Sequence, residues 1–188
     1  PTMLLFETLT VLGSATSSTE LNDPRNIACN ADFSLCYVVT SASDGIAILD
    51  MSTPSSPSVS GSYRTDFYLD NSYGIALDEQ RAMVYAVSYN MDALVVIDVS
   101  SSTNPTFVSW VQDSSYLNTA WNVAYDPQRG HCFVTTRDTN RLTVVDVQSL
   151  GAPAVVGSIS DGTNLNDAHG LACDFTRSVC YVCAYDGD

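Results

Sequence analysis

The sequence predicts an all-β fold, a β-propeller made of four-stranded antiparallel blades of about 48 residues. One phrase recurs at a fixed step, because Asp50, Asp98 and Asp146 each end a similar apolar run and lie 48 residues apart. Each copy contains four short runs rich in β-branched and aromatic residues, and no segment has a helical period. A β-sandwich could present short strands at this spacing, but it would not require a strict repeat.

Further positions keep the same period along the whole chain. They are Pro57, Pro105 and Pro153; Ala28, Ala76, Ala124 and Ala172; and Leu21, Leu69, Leu117 and Leu165.

Within one copy, turns of distinct composition join the four runs. The first run, 74–77, is rich in small residues, and the second, 83–88, alternates large and small side chains. A Ser/Pro-rich turn separates the third run, 94–99, from the fourth, 106–111. Short apolar runs bounded by turn residues predict strands that pair antiparallel with their neighbours in the chain.

The repeat divides the 188 residues into three whole blades and two half-blades. The whole blades cover about 21–68, 69–116 and 117–164, with an outer half-blade at 1–20 and an inner half-blade at 165–188.

The two half-blades leave three arrangements open. In the outer half, 3–7 is expected to be a third strand and 9–14 a fourth, since Gly13 lies 48 residues before Gly61. The chain could be a piece of a larger propeller with about six to eight blades. It could instead close as a ring of four blades, or complete its open blades with another copy, which would remove exposed strand edges.

The phrase LVVIDVSSSTNP, 94–105, resembles the LVIVD repeat, a propeller blade motif named after its third strand. A similar phrase, LTVVDVQSLGAP, occurs at 142–153, and a looser one, IAILDMSTPSSP, at 46–57. The resemblance extends over nearly the whole chain. LVIVD-type propellers are typical of secreted or surface-attached proteins, so the resemblance implies an extracellular or cell-surface location.

The charge of the chain argues against two classes of partner. Seven Arg and no Lys stand against 21 acidic residues, for a net charge of −14. Such a surface repels phosphate backbones, so we expect no nucleic-acid partner. The sequence has no apolar run of the length that a membrane span requires, so we expect no membrane insertion.

The repeated aspartates are predicted to be structural turn caps. Asp50, Asp98 and Asp146 each precede a Ser/Pro-type turn, where a carboxylate can accept backbone N–H groups. A second repeated pair, Asp78 with Arg81 in the second copy, is predicted to stabilise the turn between the first two strands with a solvated or salt-bridged arginine.

The cysteines predict two disulfides. Cys29 and Cys36 flank the first hairpin, and Cys173 and Cys180 stand at the same places 144 residues later. Each pair should face across adjacent antiparallel strands, close enough to bridge, which would indicate an oxidising compartment. The remaining Cys132 and Cys183 have no evident pairing. The spacing does not match a zinc site.

Function is expected where the copies disagree. The residue before each first strand is Arg25, Tyr73, Trp121 or His169, and these should converge at the rim of the central channel. They could bind a glycan, a carboxylate or a protein loop, or they could simply plug the channel mouth.

No catalytic motif is evident. Ca²⁺ is the one possible cofactor, because Asp-rich turns such as 185–188 could bind it, although these turns lack the full pattern of a calcium-binding loop. We therefore expect a non-catalytic extracellular scaffold for protein or glycan contact. One form of such a scaffold is a structural tile of a surface layer or fibre, in which copies of the chain assemble through open blade edges. The alternatives are a lectin-like propeller and a secreted hydrolase or lactonase.

Overall fold

A computed structural model describes residues 10–187, which contain fourteen β-strands and no helix. They form three four-stranded antiparallel sheets, blades 1 to 3, and one two-stranded half-blade. In every sheet the strands pair in chain order, so the predicted all-β fold of four-stranded antiparallel sheets is confirmed. No helix in this part of the chain has the length and apolarity to cross a bilayer.

The strand bounds follow the repeat. Blade 1 consists of β1 (Pro24–Cys29), β2 (Leu35–Thr40), β3 (Gly45–Asp50) and β4 (Ser58–Arg64). Blade 2 consists of β5 (Ser72–Asp78), β6 (Met83–Ser88), β7 (Ala93–Asp98) and β8 (Thr106–Gln112). Blade 3 consists of β9 (Ala120–Asp126), β10 (His131–Thr136), β11 (Arg141–Asp146) and β12 (Ala154–Ser160). The half-blade consists of β13 (Ala168–Asp174) and β14 (Val179–Ala184).

The first strands of successive sheets lie side by side, β1 next to β5, β5 next to β9, and β9 next to β13. Each blade therefore has a leading face toward the preceding blade and a trailing face toward the following one. Strand side chains alternate between these faces, so neighbouring residues of one strand enter different cores.

Both faces of blade 2 are buried. Its leading face, with Ile75, Val84 and Ile97, packs on Tyr37 and Ile48 of blade 1. Its trailing face packs on blade 3 and includes Tyr85, which is fully buried. A sheet that is apolar on both sides reads in sequence as a continuous apolar run, as β6 and β7 do.

The repeated aspartates cap the turns after the third strands. Asp98 Oδ1 accepts the N–H of Ser100 at 2.8 Å, and Asp50 and Asp146 make the same bond to the residue two places on. The hydroxyl and the N–H of Ser100 hold the pKa of Asp98 below its ordinary value. The third strand ends at Asp98 because the next N–H, of Val99, donates to Ala82 O outside the sheet ladder.

The second repeated pair forms the predicted salt bridge within its turn, and its arginine also reaches the next blade. Arg81 is paired with the buried Asp78, and it donates to Tyr125 Oη at 2.8 Å and to Val147 O at 3.0 Å, both in blade 3. In the same way Arg129 of blade 3 pairs with its own buried aspartate and reaches the half-blade. These arginines are clamps between blades. Sequence spacing shows the pair within its turn, but not the neighbouring blade.

The fourth strand predicted at 9–14 is absent from the described part of that segment. Residues 3–7 lie outside the described residues, and 10–14 form no strand. Gly13 nevertheless packs on the Ser/Pro turn of blade 1 at Pro54 and Pro57, as Gly61 of β4 packs on the corresponding turn of blade 2 at Thr103. Residues 10–14 thus occupy the place of a fourth strand, although no strand is formed there.

We predict that Asp98→Ala lowers the free energy of unfolding by about 1 kcal/mol, because the Ser100 N–H loses its acceptor. Asp66→Ala, an exposed position in the turn before β5, is the control and should change it by less than about 0.5 kcal/mol. Urea denaturation of the two variants checks this. Equal effects would show that the Asp98 cap contributes nothing specific.

Stability should fall in acid because of the clamps. Burial opposes ionisation of Asp78, but hydrogen bonds from Arg81 and Tyr125 outweigh it, so the pKa lies below its ordinary value of 3.8. A lowered folded-state pKa stabilises the protein above pH 3.8, and this contribution is lost as the pH falls through the folded-state pKa. The pH dependence of urea unfolding should therefore be flatter in Asp78→Asn than in the parent chain. An unchanged slope would contradict this role.

Candidate functional site

The four residues that differ between copies sit on β-bulges at the start of the first strands. In blade 2, Ser72 pairs with Ser88 and Gly74 with Val87, so Tyr73 is the extra residue without a partner. The same shift leaves out Arg25, Trp121 and His169 in the other first strands. A bulge redirects its extra side chain out of the alternating pattern, here toward the inner rim.

A left-handed residue lies just before each bulged strand. Asp23, Asn71, Thr119 and Asp167 have φ of 54°, 54°, 51° and 56°. Asn and Asp tolerate this region better than most residues, and Thr119 does so while its hydroxyl accepts the N–H of Asp138. The backbone O of each residue also accepts an N–H from the end of the second strand, so the bend recurs identically in all four copies.

The four bulge side chains form one continuous stack. The Arg25 guanidinium lies 4.8 Å from the centre of the Tyr73 ring. The Tyr73 and Trp121 rings stack at 4.1 Å, and the Trp121 and His169 rings at 4.2 Å with planes 7° apart. The predicted convergence of these residues is thus present, and their side chains stack on one another.

A second row of side chains surrounds the stack, and sequence reasoning missed it. Tyr89 packs beside both Tyr73 and Trp121, Arg137 lies over Trp121, and Tyr185 packs beside His169. These residues follow the second strands and are 48 apart, so the same repeat comparison could have found them.

An acidic residue lies beside the end of the stack. Asp167 Oδ1 lies 2.6 Å from Arg137 Nε and 3.0 Å from His169 Nε2. Asp167 is buried, whereas Arg137 is partly exposed. The carboxylate thus lies between the imidazole and the guanidinium that flank Trp121, although neither Asp167 Oδ1 nor His169 Nε2 has a partner in hydrogen-bond geometry.

The first strands approach each other closely beneath the stack. A Cβ on Gly74 would lie 2.7 Å from Asn122 Cα and 2.9 Å from Trp121 O, so glycine is needed there. Above Gly74, Asn26 Nδ2 of blade 1 donates to Asn122 Oδ1 of blade 3 at 3.3 Å. Blades 1 and 3 therefore touch across blade 2 at the rim.

The structure contains both expected disulfides, Cys29–Cys36 and Cys173–Cys180, each joining directly opposed residues of a first and a second strand. Cys132 is buried between blades 2 and 3, and burial raises the pKa of its thiol well above the usual value. Cys183 is exposed and also has a free thiol. In residues 10–187 no group of three or more acidic, Cys or His side chains is arranged to hold a metal ion.

Two blade faces remain open at the ends of the arc. The trailing face of the half-blade exposes Tyr181 at 63% and Val179 at 40%. The leading face of blade 1 exposes Ile27 at 53% and borders a groove of about 1050 Å³ whose floor includes Val38 and Leu49.

Comparison with known proteins shows LVIVD repeats in this chain. The model of that repeat matches residues 36–65 and 85–113, in blades 1 and 2. None of the curated proteins matches the chain by sequence.

Solved structures share its fold. A functionally unknown protein from Desulfotomaculum acetoxidans DSM 771 is 17% identical, with a TM-score of 0.63 over 90% of this chain and 48% of that one. A protein from Lactobacillus plantarum is 12% identical, with a TM-score of 0.65 over 85% and 50%. The periplasmic gluconolactonase of Pseudomonas aeruginosa is 15% identical, with a TM-score of 0.61 over 73% and 41%. The chain thus spans half or less of each of these propeller-type structures.

We predict that Gly74→Ala destabilises the fold by about 1–3 kcal/mol, since the added methyl group would meet backbone atoms of blade 3. Gly157→Ala is the matched control, because a Cβ there has no neighbour within 4 Å, and its effect should stay within about 0.5 kcal/mol. Thermal and urea unfolding measure both. A tolerated Gly74→Ala would mean that the inner strands can separate without cost.

Proposed function

We propose that this LVIVD-repeat propeller is a non-catalytic extracellular scaffold for protein contact. The observation that carries the proposal is the continuous stack of Arg25, Tyr73, Trp121 and His169 at the rim. Side chains of the types Tyr, Trp and Arg are enriched where proteins contact one another.

The extracellular part of the proposal rests on the cysteines. Two hairpin disulfides, Cys29–Cys36 and Cys173–Cys180, suit an oxidising compartment and are uncommon in the cytosol. The LVIVD resemblance points to the same location.

The rim supports a structural role better than glycan recognition. A sugar bound by an aromatic platform needs an open ring face. Tyr73 covers one side of Trp121 and His169 is stacked on it as well, while Arg25 lies over Tyr73. These contacts are each worth about 0.5–1.5 kcal/mol and would have to be broken for a sugar to stack.

The alternative of a lactonase comes from fold likeness to the Pseudomonas aeruginosa gluconolactonase, and folds of this class host many functions. Such an enzyme would use side chains at the rim for general acid–base catalysis. Among the rim residues, His169 with the neighbouring Asp167 best resembles an acid–base pair.

Two assays with rim variants test the proposal. On a glycan array, the parent chain should give no more signal than Trp121→Ala. In a gluconolactone hydrolysis assay, with and without added Ca²⁺, its turnover should not exceed that of His169→Ala. Glycan binding lost in Trp121→Ala would make the protein a lectin, and turnover lost in His169→Ala would make it an enzyme.

A further inference from the structure

We propose that a group of aromatic side chains at the outer edge of blade 2 docks a segment of another polypeptide, one that carries an apolar side chain next to lysine or arginine. We name this group, which consists of Phe67, Tyr68, Phe107 and Trp110, the outer cluster. The inference rests on the proposed scaffold function and adds to it a contact site outside the rim, together with the chemistry of the partner.

The four rings of the outer cluster contact one another. Phe67 and Tyr68 belong to the segment that joins β4 of blade 1 to β5 of blade 2, and the other two rings belong to β8. Tyr68 lies in the centre, with its ring stacked on that of Phe107 at a centre-to-centre distance of 4.2 Å. It meets the rings of Phe67 and Trp110 edge to face, at 4.8 Å and 5.1 Å. The Phe67 and Trp110 rings lie 5.9 Å apart, so the group forms one contiguous patch.

Phe67 is exposed although the segment that carries it is fixed. Its side chain is 61% exposed, whereas Leu69, two residues further on, is fully buried. The Thr65 N–H donates to Asp44 O at 2.8 Å, and the Leu69 N–H donates to Thr65 O at 3.0 Å. All eight strands of blades 1 and 2 are present, so no missing strand of either blade would cover Phe67. A fixed and exposed ring is a preorganised anchor for a partner.

The fold of a blade does not require the outer cluster. Trp110 pairs with Val95 in the ladder between the third and fourth strands, and the equivalent residue of blade 1, which pairs with Ala47, is a serine. The counterparts of Phe67 and Trp110 in the other copies are all serine or threonine, namely Thr19, Ser115, Thr163, Ser62 and Ser158. The rings of the rim stack on one another, whereas most of Phe67 faces water. A contiguous aromatic patch that the other copies lack marks an interaction site.

The loops at the same end of blade 2 carry negative charge and no arginine. These loops are 65–71, 89–92 and 113–119. They contain four aspartates, none of which forms a salt bridge with the residues that the structure describes: Asp66, Asp70, Asp92 and Asp113. Asp66 adjoins Phe67, and Arg64, at the end of β4, donates to Ser43 O in the turn between β2 and β3. Lysine or arginine beside the apolar side chain of the partner would therefore complement this surface.

A polypeptide suits the outer cluster better than a sugar does. The most exposed ring is that of Phe67, which has no polar group to bind the hydroxyls of a sugar. The tyrosine and tryptophan beside it are residue types that are enriched in contacts between proteins. An aliphatic side chain of the partner can pack against Phe67 and Trp110, and a neighbouring cation would lie near Asp66 or over the Phe67 ring.

Fluorescence anisotropy with labelled synthetic peptides and the 188-residue chain tests the inference. The probe is a short peptide of alternating lysine and leucine, and the two comparison peptides alternate glutamate with leucine and lysine with serine. The lysine–leucine peptide should bind at least about tenfold more tightly than either of the others, because it alone supplies both positive charge and apolar surface. Its affinity should fall as added salt screens the aspartates.

Two variants and a matched control locate the binding of the lysine–leucine peptide. Phe67→Ser should weaken it about tenfold or more, as removal of an interface anchor does. Asp66→Asn should weaken it less and should make the affinity less dependent on salt. Phe33→Ser is the control and should leave the affinity unchanged, because Phe33 is 68% exposed in the turn between β1 and β2, at the opposite end of the sheets.

A lysine–leucine peptide that binds no better than the lysine–serine peptide overturns the inference, as does a Phe67→Ser variant that binds it as well as Phe33→Ser does. A glycan-array signal of the parent chain that Phe67→Ser abolishes would overturn it too, because the outer cluster would then be a sugar platform. These outcomes are separate from the rim assays, since Trp121→Ala and His169→Ala leave the outer cluster intact and Phe67→Ser leaves the rim intact.

Discussion

Blade 2 is apolar on both faces, and this places a constraint on every other part of the molecule. The blade hides Ile97 on its leading face and Tyr85 on its trailing face, and both are fully buried. A sheet of this kind cannot be stable alone, since each side that is left in water forgoes about 25 cal/mol for every Å² of apolar area. It needs a neighbour on each side, and the neighbour needs another. A stack of such sheets ends only by closing into a ring, by capping its ends or by meeting another molecule.

The charged groups that join the blades lie at the ends of the strands, where they align the blades. The Asp98-type caps satisfy backbone groups within one blade, whereas the Arg81 clamp joins two blades through Tyr125 and a backbone carbonyl. Asp78 and Asp126 are buried carboxylates, which are tolerated because an arginine and backbone N–H groups meet them there. Each clamp thus ties the stability of one blade to the placement of the next.

The repeat made most of the fold predictable, because a fixed period reports the same contacts several times. The strand order, the Asp98-type cap and the opposed cysteines all follow from aligning the copies. The bulges do not, since the extra residue at Tyr73 shows itself only in the pairing of Ser72 and Gly74 with the second strand. The reach of Arg81 into blade 3 was also hidden, because a sequence period relates equivalent positions and says nothing about contacts between non-equivalent ones.

Divergence among the copies at the rim has a physical explanation that needs no ligand. Stacked side chains must complement the neighbours on either side, so a cation suits one face of Tyr73 and an aromatic ring the other. Four identical residues would not provide these complementary contacts, whereas the series Arg25, Tyr73, Trp121 and His169 does. Variation between repeats is thus an ambiguous sign of binding. Positions that keep their residue type, such as Tyr85 and Tyr181, report blade packing instead.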